Sequence, residues 1–200
     1  MADVMHPELE NHARTPAIRP ATPADFDYVL KCLEDAVGNN EHYGDLFKAH
    51  ELSRLDRRFL EAVHAADPYH VAICLHGEDP VGFILTGPEY GNLWLFWAYI
   101  EPRARRTDAF IASMRALIRQ FDNGRFHKIS TYTRPGNAAP AAVIRRIGYK
   151  QIALLEKHIF GEDYLLFERP LNKSVEGYDH GAPFGRTAAF KRSLKRLFGF

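Results

Sequence analysis

Residues 92–118 read NLWLFWAYIEPRARRTDAFIASMRALI. The first ten residues are a nearly unbroken apolar and aromatic run, the pattern of a central strand covered on both faces. Phe110, Ile111, Met114, Leu117, Ile118 and Phe121 then recur at helical spacing, so a helix follows. Between them lies the short turn EPRARRTD, with three arginines and no glycine. The stretch thus reads as a strand end, a short turn and the start of a helix, and the rest of the chain is read around it.

Upstream, Thr22 caps a helix with Pro23 at its first position and Asp25 three residues after the cap, and Phe26, Val29, Leu30, Leu33 and Val37 form its apolar face. A second helical region, about 44–65, carries Leu52, Leu55, Phe59, Leu60 and Val63 on one side. AIRPA (17–21) is a short strand, and YHVAICLHGEDPVGFILTGPE reads as a hairpin about Gly77–Pro80. Downstream, HKISTYT (127–133) is a strand and NAAPAAVIRRIG a short helix ended by Gly148. A closing hairpin turns at Gly161-Glu162-Asp163. The predicted order is β-α-α-β-β-β-α-β-α-β-β, an α+β fold with a mixed, mostly antiparallel sheet flanked by helices.

Two hundred residues, 46% hydrophobic and 26% charged, suit one domain with a real core and exclude wholesale disorder. The predicted divisions are an arm at 1–16, a domain at 17–171, a linker at 172–184 and a C-terminal segment at 185–200. Residues 171–200 hold six Lys/Arg and two Asp/Glu, which leaves 20 basic and 23 acidic residues in the body. A mildly acidic body argues against nucleic-acid binding by the main domain. Cys32 and Cys74, the two cysteines, read as buried thiols rather than a disulfide scaffold. Scattered histidines without ligand spacing argue against a metal, and His42 and His50 read as part of a polar helix face. The opening residues lack a secretory pattern and no window has the apolar length of a membrane span, so the expected location is a cytoplasm or a particle assembled in one.

In that element order, residues 17–171 resemble the GNAT (Gcn5-related N-acetyltransferase) fold. AIRPATPADFDYVL is similar to the first strand and helix of that family. YIEPRARRTDAF falls on its acetyl-CoA motif, in which a hydrophobic residue, Pro and Arg precede a Gly-x-Gly-x-Gly/Ala turn. Ile100, Pro102 and Arg105 match, whereas Arg106, Asp108 and Phe110 occupy the three small-residue positions. In NAAPAAVIRRIGY, Asn137, Gly148 and Tyr149 match, with Val143 at the Leu position and Ile144 at the Tyr position.

The resemblance implies acetyl-CoA as cofactor, and the departures imply its loss. Glycines let a backbone approach a pyrophosphate so that amides and the helix N-terminus hold it. Asp108 instead puts a carboxylate where the anion would arrive, which suits the helix dipole and repels a phosphate. The family Tyr often protonates the leaving thiolate, and Ile144 has no proton to give. If binding is retained, Arg105, Arg106, Thr107 and Asn137 are the cofactor-binding residues, with guanidinium groups of Arg103, Arg105 and Arg106 replacing backbone amides. Glu101 and His127 are the candidates for a base. The alternative to a phosphate site is that the three arginines form a solvated or partner-facing surface.

IRPATPADF and GNAAPAAVIRRIGYKQIALLEKHIFGEDYLLFERP also resemble GNAT-like internal virion or accessory proteins of short-tailed bacteriophages. This implies a structural subunit of a virion, or an assembly factor in the host cytoplasm. In GRTAAFKRSLKRLFGF, Phe190, Leu194, Leu197, Phe198 and Phe200 stand with Lys191 and Lys195 in a basic amphipathic helix outside the domain. Docking on other virion proteins or a second copy is the preferred role, with a membrane surface or the chain's own domain as the other surfaces that suit it. The expected function is a GNAT-fold accessory subunit with a degenerate acetyl-CoA site. The alternative is an active acyl-CoA-dependent N-acetyltransferase with a variant phosphate turn.

Overall fold

The computed structural model describes residues 17–175. The arm at 1–16, most of the linker and the helix expected at 185–200 lie outside the described residues. Within them run β1 (Ile18–Pro20), α1 (Phe26–Gly38), α2 (Asp45–Arg54), α3 (Arg57–Ala66), β2 (Val71–His76), β3 (Asp79–Glu89) and β4 (Asn92–Ile100). They continue with α4 (Ala109–Phe121), β5 (Lys128–Thr133), α5 (Ala138–Arg146), β6 (Lys150–Ile159) and β7 (Glu162–Pro170). Seven strands form one sheet in the order β1-β2-β3-β4-β5-β7-β6. Every neighbouring pair is antiparallel except β4 and β5.

The start of α1 follows the expected cap. The Asp25 carboxylate accepts the Thr22 backbone N–H at 2.7 Å and is held by the Arg19 guanidinium at 2.8 Å. The turn Pro23–Asp25 is a 3-10 turn that feeds α1. The single helix expected over 44–65 is two. Leu55 closes α2 by donating its amide to the Glu51 carbonyl, and Asp56 starts α3 by accepting the Phe59 N–H at 2.9 Å. An Asp in extended backbone with its carboxylate on the third amide ahead is a strong N-cap, and it wins over continuation of the apolar stripe.

Two clusters sandwich the sheet. On one face α1 and α3 bury Phe26, Val29, Leu33, Leu60 and Val63 against Ile73, Phe83 and Leu85. On the other, α4 and α5 bury Met114, Leu117, Phe121 and Ile144 against Ile84, Leu93, Ile129 and Phe167. Fully buried side chains of this size contribute about 1.5–3 kcal/mol each relative to exposure. Both cysteines are free and buried, as expected, and burial pushes the Cys74 thiol up to about 12. By contrast α2 buries only Glu51, so it is joined to the body by few apolar contacts.

Central strand β4 departs from the expectation of cover on both faces. Trp94, Phe96, Trp97 and Ala98 are only half-buried. The reason lies in how β4 and β5 separate.

Candidate functional site

Strands β4 and β5 pair only at their starts, Asn92 to Trp94 against Lys128 to Ser130. The Thr131 hydroxyl then donates to the Leu95 carbonyl at 2.9 Å, and beyond that link the strands diverge. A bulge assists the divergence. Leu85 faces Trp97 and Thr86 faces Leu95, so Phe96 is the extra residue on β4. Its ring packs edge-on to Phe59, with centroids 5.5 Å apart, under the Arg54 guanidinium. A Cβ at Gly87 would come within 2.7 Å of that ring, so glycine is what lets the bulged side chain lie across β3.

The divergence opens a cleft of about 1140 Å³. Phe110 and Met114 of α4 line it, with Asn137, Val143 and Ile144 of α5. Across from them stand Tyr43, Phe47, His50 and Glu51, with Phe160 and Tyr164 from the β6–β7 hairpin. Tyr43 stacks on Phe47 at 4.5 Å and meets Trp97 edge-on at 5.7 Å. Glu51 is buried, accepts the Trp97 indole N–H at 2.8 Å and is paired with Arg54 at 2.7 Å. Burial pushes the phenols of Tyr43, Tyr132 and Tyr164 above their ordinary values. All three residues line the cleft. Sequence reasoning missed Tyr43, Phe47 and Glu51, and it placed His42 and His50 on a polar face, whereas both line the cleft.

The turn that opens α4 is partly closed on itself. Arg105, Ala104 and Thr107 give their amides to Pro102, Glu101 and Ala104 carbonyls. The Thr107 hydroxyl donates to the Ala104 carbonyl at 2.8 Å and accepts the Ala109 N–H at 3.2 Å. Thr107, rather than Asp108, therefore supplies the side-chain cap, and Asp108 makes no side-chain cap bond. Arg105 folds back so that its Nε donates to the Ile100 carbonyl at 3.1 Å while its guanidinium lies 5.6 Å over the Tyr99 ring. Arg103 donates to Glu101 at 2.5 Å and to the Pro80 carbonyl at 2.6 Å. Arg106 is exposed.

Asn137 begins α5, is buried, and lines the cleft. Its side chain makes no hydrogen bond among the described residues. Of the residues expected to hold a cofactor, Arg105 and Asn137 line the cleft, while Arg106 and Thr107 do not. Neither candidate base lines it. Glu101 accepts from the Tyr28 hydroxyl at 2.6 Å and from Arg103. Burial pushes its carboxyl up, but these two donors outweigh burial and hold it below its ordinary value. His127 is exposed at the start of β5, the end remote from the divergence. Among the described residues, no group of three or more His, Cys, Asp or Glu is placed to hold a metal, and no helix is long and apolar enough to cross a membrane.

No protein-family model matches this chain, and no curated protein sequence matches it. Solved structures do. A ribosomal-protein-alanine N-acetyltransferase from Brucella melitensis superposes with a TM-score of 0.61 at 25% identity, covering 77% of this chain and 99% of that one. The Salmonella typhimurium protein yncA, solved with its cofactor acetyl-CoA, gives 0.61 at 17% identity over 81% of this chain and 97% of that one. A GNAT phosphinothricin acetyltransferase from Sinorhizobium meliloti, in complex with acetyl-CoA, gives 0.60 at 16% identity over 82% and 96%. The fold is that of the GNAT acetyltransferases.

Proposed function

We propose that this chain is an accessory subunit built on the GNAT fold that does not transfer acetyl groups from CoA. The observation that carries this reading is the partly closed turn at 101–109, with Arg103 and Arg105 turned away from the helix N-terminus. An anion held at a helix N-terminus needs backbone amides that point outward and lack partners. Here the amides of Ala104, Arg105, Thr107 and Ala109 already have partners, which leaves those of Arg106, Asp108, Phe110 and Ile111 without one among the described residues, and the Arg103 and Arg105 guanidinium groups are turned to carbonyls and to Glu101. Ile144 faces the cleft where the resemblance expects a Tyr, and Glu101 is engaged elsewhere.

A specific observation favours the second reading, an active acyl-CoA-dependent N-acetyltransferase. The cleft is open, Asn137 presents an amide with no partner among the described residues, and Tyr132 and Tyr164 line it from other elements. Two neighbours of this fold were solved with acetyl-CoA. Calorimetric titration with acetyl-CoA separates the readings. The expected result is no saturable heat up to millimolar ligand. Micromolar binding displaced by CoA would overturn the first reading in favour of the second.

The accessory role needs a partner, and the basic amphipathic segment at 185–200 is proposed to dock on one, as part of a virion or of its assembly. Phe190, Leu194, Leu197, Phe198 and Phe200 would supply the apolar face, and Lys191 and Lys195 the rim. Removing residues 185–200 is expected to leave the melting temperature of the domain unchanged and to abolish sedimentation with the assembly. Unchanged co-sedimentation would refute the docking role. Retention of the full chain on anionic liposomes, falling with salt, would instead assign the segment to a membrane surface.

A further inference from the structure

The groove between α4 and α5 has a second end, toward the C-terminal ends of both helices. Phe110 and Met114 of α4 and Asn137 of α5 belong to the cleft. Beyond them on these helices, Arg115 and Arg119 of α4, Arg146 of α5 and Arg169 of β7 surround a separate pocket of about 340 Å³. Ile118 and Ile147 complete it with Gly148, and among the described residues no acidic one lines it. Arg115, Arg119 and Arg146 are exposed, and none makes a hydrogen bond or ion pair among the described residues.

Helix ends account for only part of this charge. Arg119 and Arg146 stand in the last turns of α4 and α5, where cations are favoured. Each helix end offers about half a negative charge, so two ends match about one of four guanidinium groups. Arg115 and Arg119, one turn apart, repel each other in an unoccupied pocket.

Arg169 shows that the pocket is built rather than a chance gathering of surface side chains. It donates to the Ile147 carbonyl at 2.7 Å. Gly148, at φ +93°, passes so close that a Cβ would come 2.0 Å from the guanidinium nitrogen. A glycine in the left-handed region thus both ends α5 and leaves room for the arginine. The Arg169 Nε is buried without an acceptor among the described residues, a state that costs stability unless an acceptor arrives.

We propose that this pocket binds a free di- or triphosphate anion. Guanidinium groups match phosphate oxygens with paired, charge-assisted hydrogen bonds, which a lysine cluster would not orient. Four positive charges correspond to the three or four negative charges of such a chain at neutral pH. The volume lies at the low end for small-ligand sites, about 300 Å³, so the pocket fits the phosphate chain itself and leaves anything attached to it in solvent. The proposal is independent of whether the cleft takes acetyl-CoA.

The test is calorimetric titration of the full chain with sodium pyrophosphate and with tripolyphosphate at low ionic strength. Micromolar binding is expected, with Arg115→Gln and Arg146→Gln each weakening it about tenfold or more. Both residues are exposed and Arg115 is repelled by Arg119, so these variants should melt no lower than the parent. Arg58→Gln, which removes an exposed charge from α3, should leave the affinity unchanged. Absence of binding at millimolar pyrophosphate would overturn the proposal, as would an equal loss in Arg58→Gln. Flotation with phosphatidylcholine vesicles containing phosphatidic acid, without binding of free pyrophosphate, would also overturn it, because the ligand would then be a lipid surface.

Discussion

Phe121→Ala is expected to cost about 3–5 kcal/mol of stability, the range for removing a fully buried aromatic ring. Phe121 is the last residue of α4 and is fully buried. Its ring stacks on His70 at 5.1 Å and an 11° tilt, and meets Phe126 edge-on at 5.9 Å. Those neighbours are themselves fully buried, and rigid rings cannot collapse into the space left behind. The cavity term therefore stays near its full value. Urea unfolding reads the loss as a lower midpoint with an unchanged slope. Phe121→Leu keeps most of the volume and should cost less than about 1.5 kcal/mol. Equal losses for the two variants would show that stability at this position depends on ring contacts rather than on filled volume.

The consequence reaches function because α4 connects the two ends of the groove. Phe110 and Met114 line the cleft, and Arg115 and Arg119 line the arginine pocket. Phe121 secures the last turn of this helix beside buried Met114, Leu117 and Ile118, so both sites share a wall that this packing holds in place.

What the sequence disclosed follows from the range of the interactions involved. Apolar period, caps and turn residues act over a few positions, and they located β4, the start of α1 at Thr22 and the end of α5 at Gly148. They also identified the core faces of α1 and α4. The break between α2 and α3 was legible in Asp56, but the stripe from Leu52 to Val63 runs across it and reads as one helix. The cleft was not legible, because it depends on where two strands stop pairing. A nearly continuous apolar run looks the same whether both faces are packed or one borders an opening, so Trp94 and Trp97 read as core. Glu51 gave no local signal at all. Its partner Trp97 lies 46 positions away, and only the fold brings them together. The glycine-free turn was legible as a departure, while the internal hydrogen bonds that partly close it required coordinates.

Glu51→Ala is expected to cost about 2–3 kcal/mol and to act on one wall of the cleft more than on the whole domain. Helix α2 buries no residue but Glu51, so its place depends on that carboxylate and on the rings of Phe47 and Tyr43. Removing the carboxylate leaves the Trp97 indole N–H without its acceptor, at a cost of about 1–3 kcal/mol for a buried donor. It also releases Arg54, which is partly exposed and can turn to water, so the loss stays below the range for breaking a fully buried pair. Glu51→Gln is the informative partner variant. It keeps an oxygen for Trp97, gives up the charge on Arg54, and should recover about half of the loss. Amide exchange would show where the energy goes: faster exchange confined to residues 45–54 is expected, with the strands protected as before. If protection fell equally across the sheet, α2 would be part of the cooperative core. If Glu51→Ala left exchange unchanged, the aromatic contacts alone would hold this wall, and the buried carboxylate would be free to serve a ligand in the cleft.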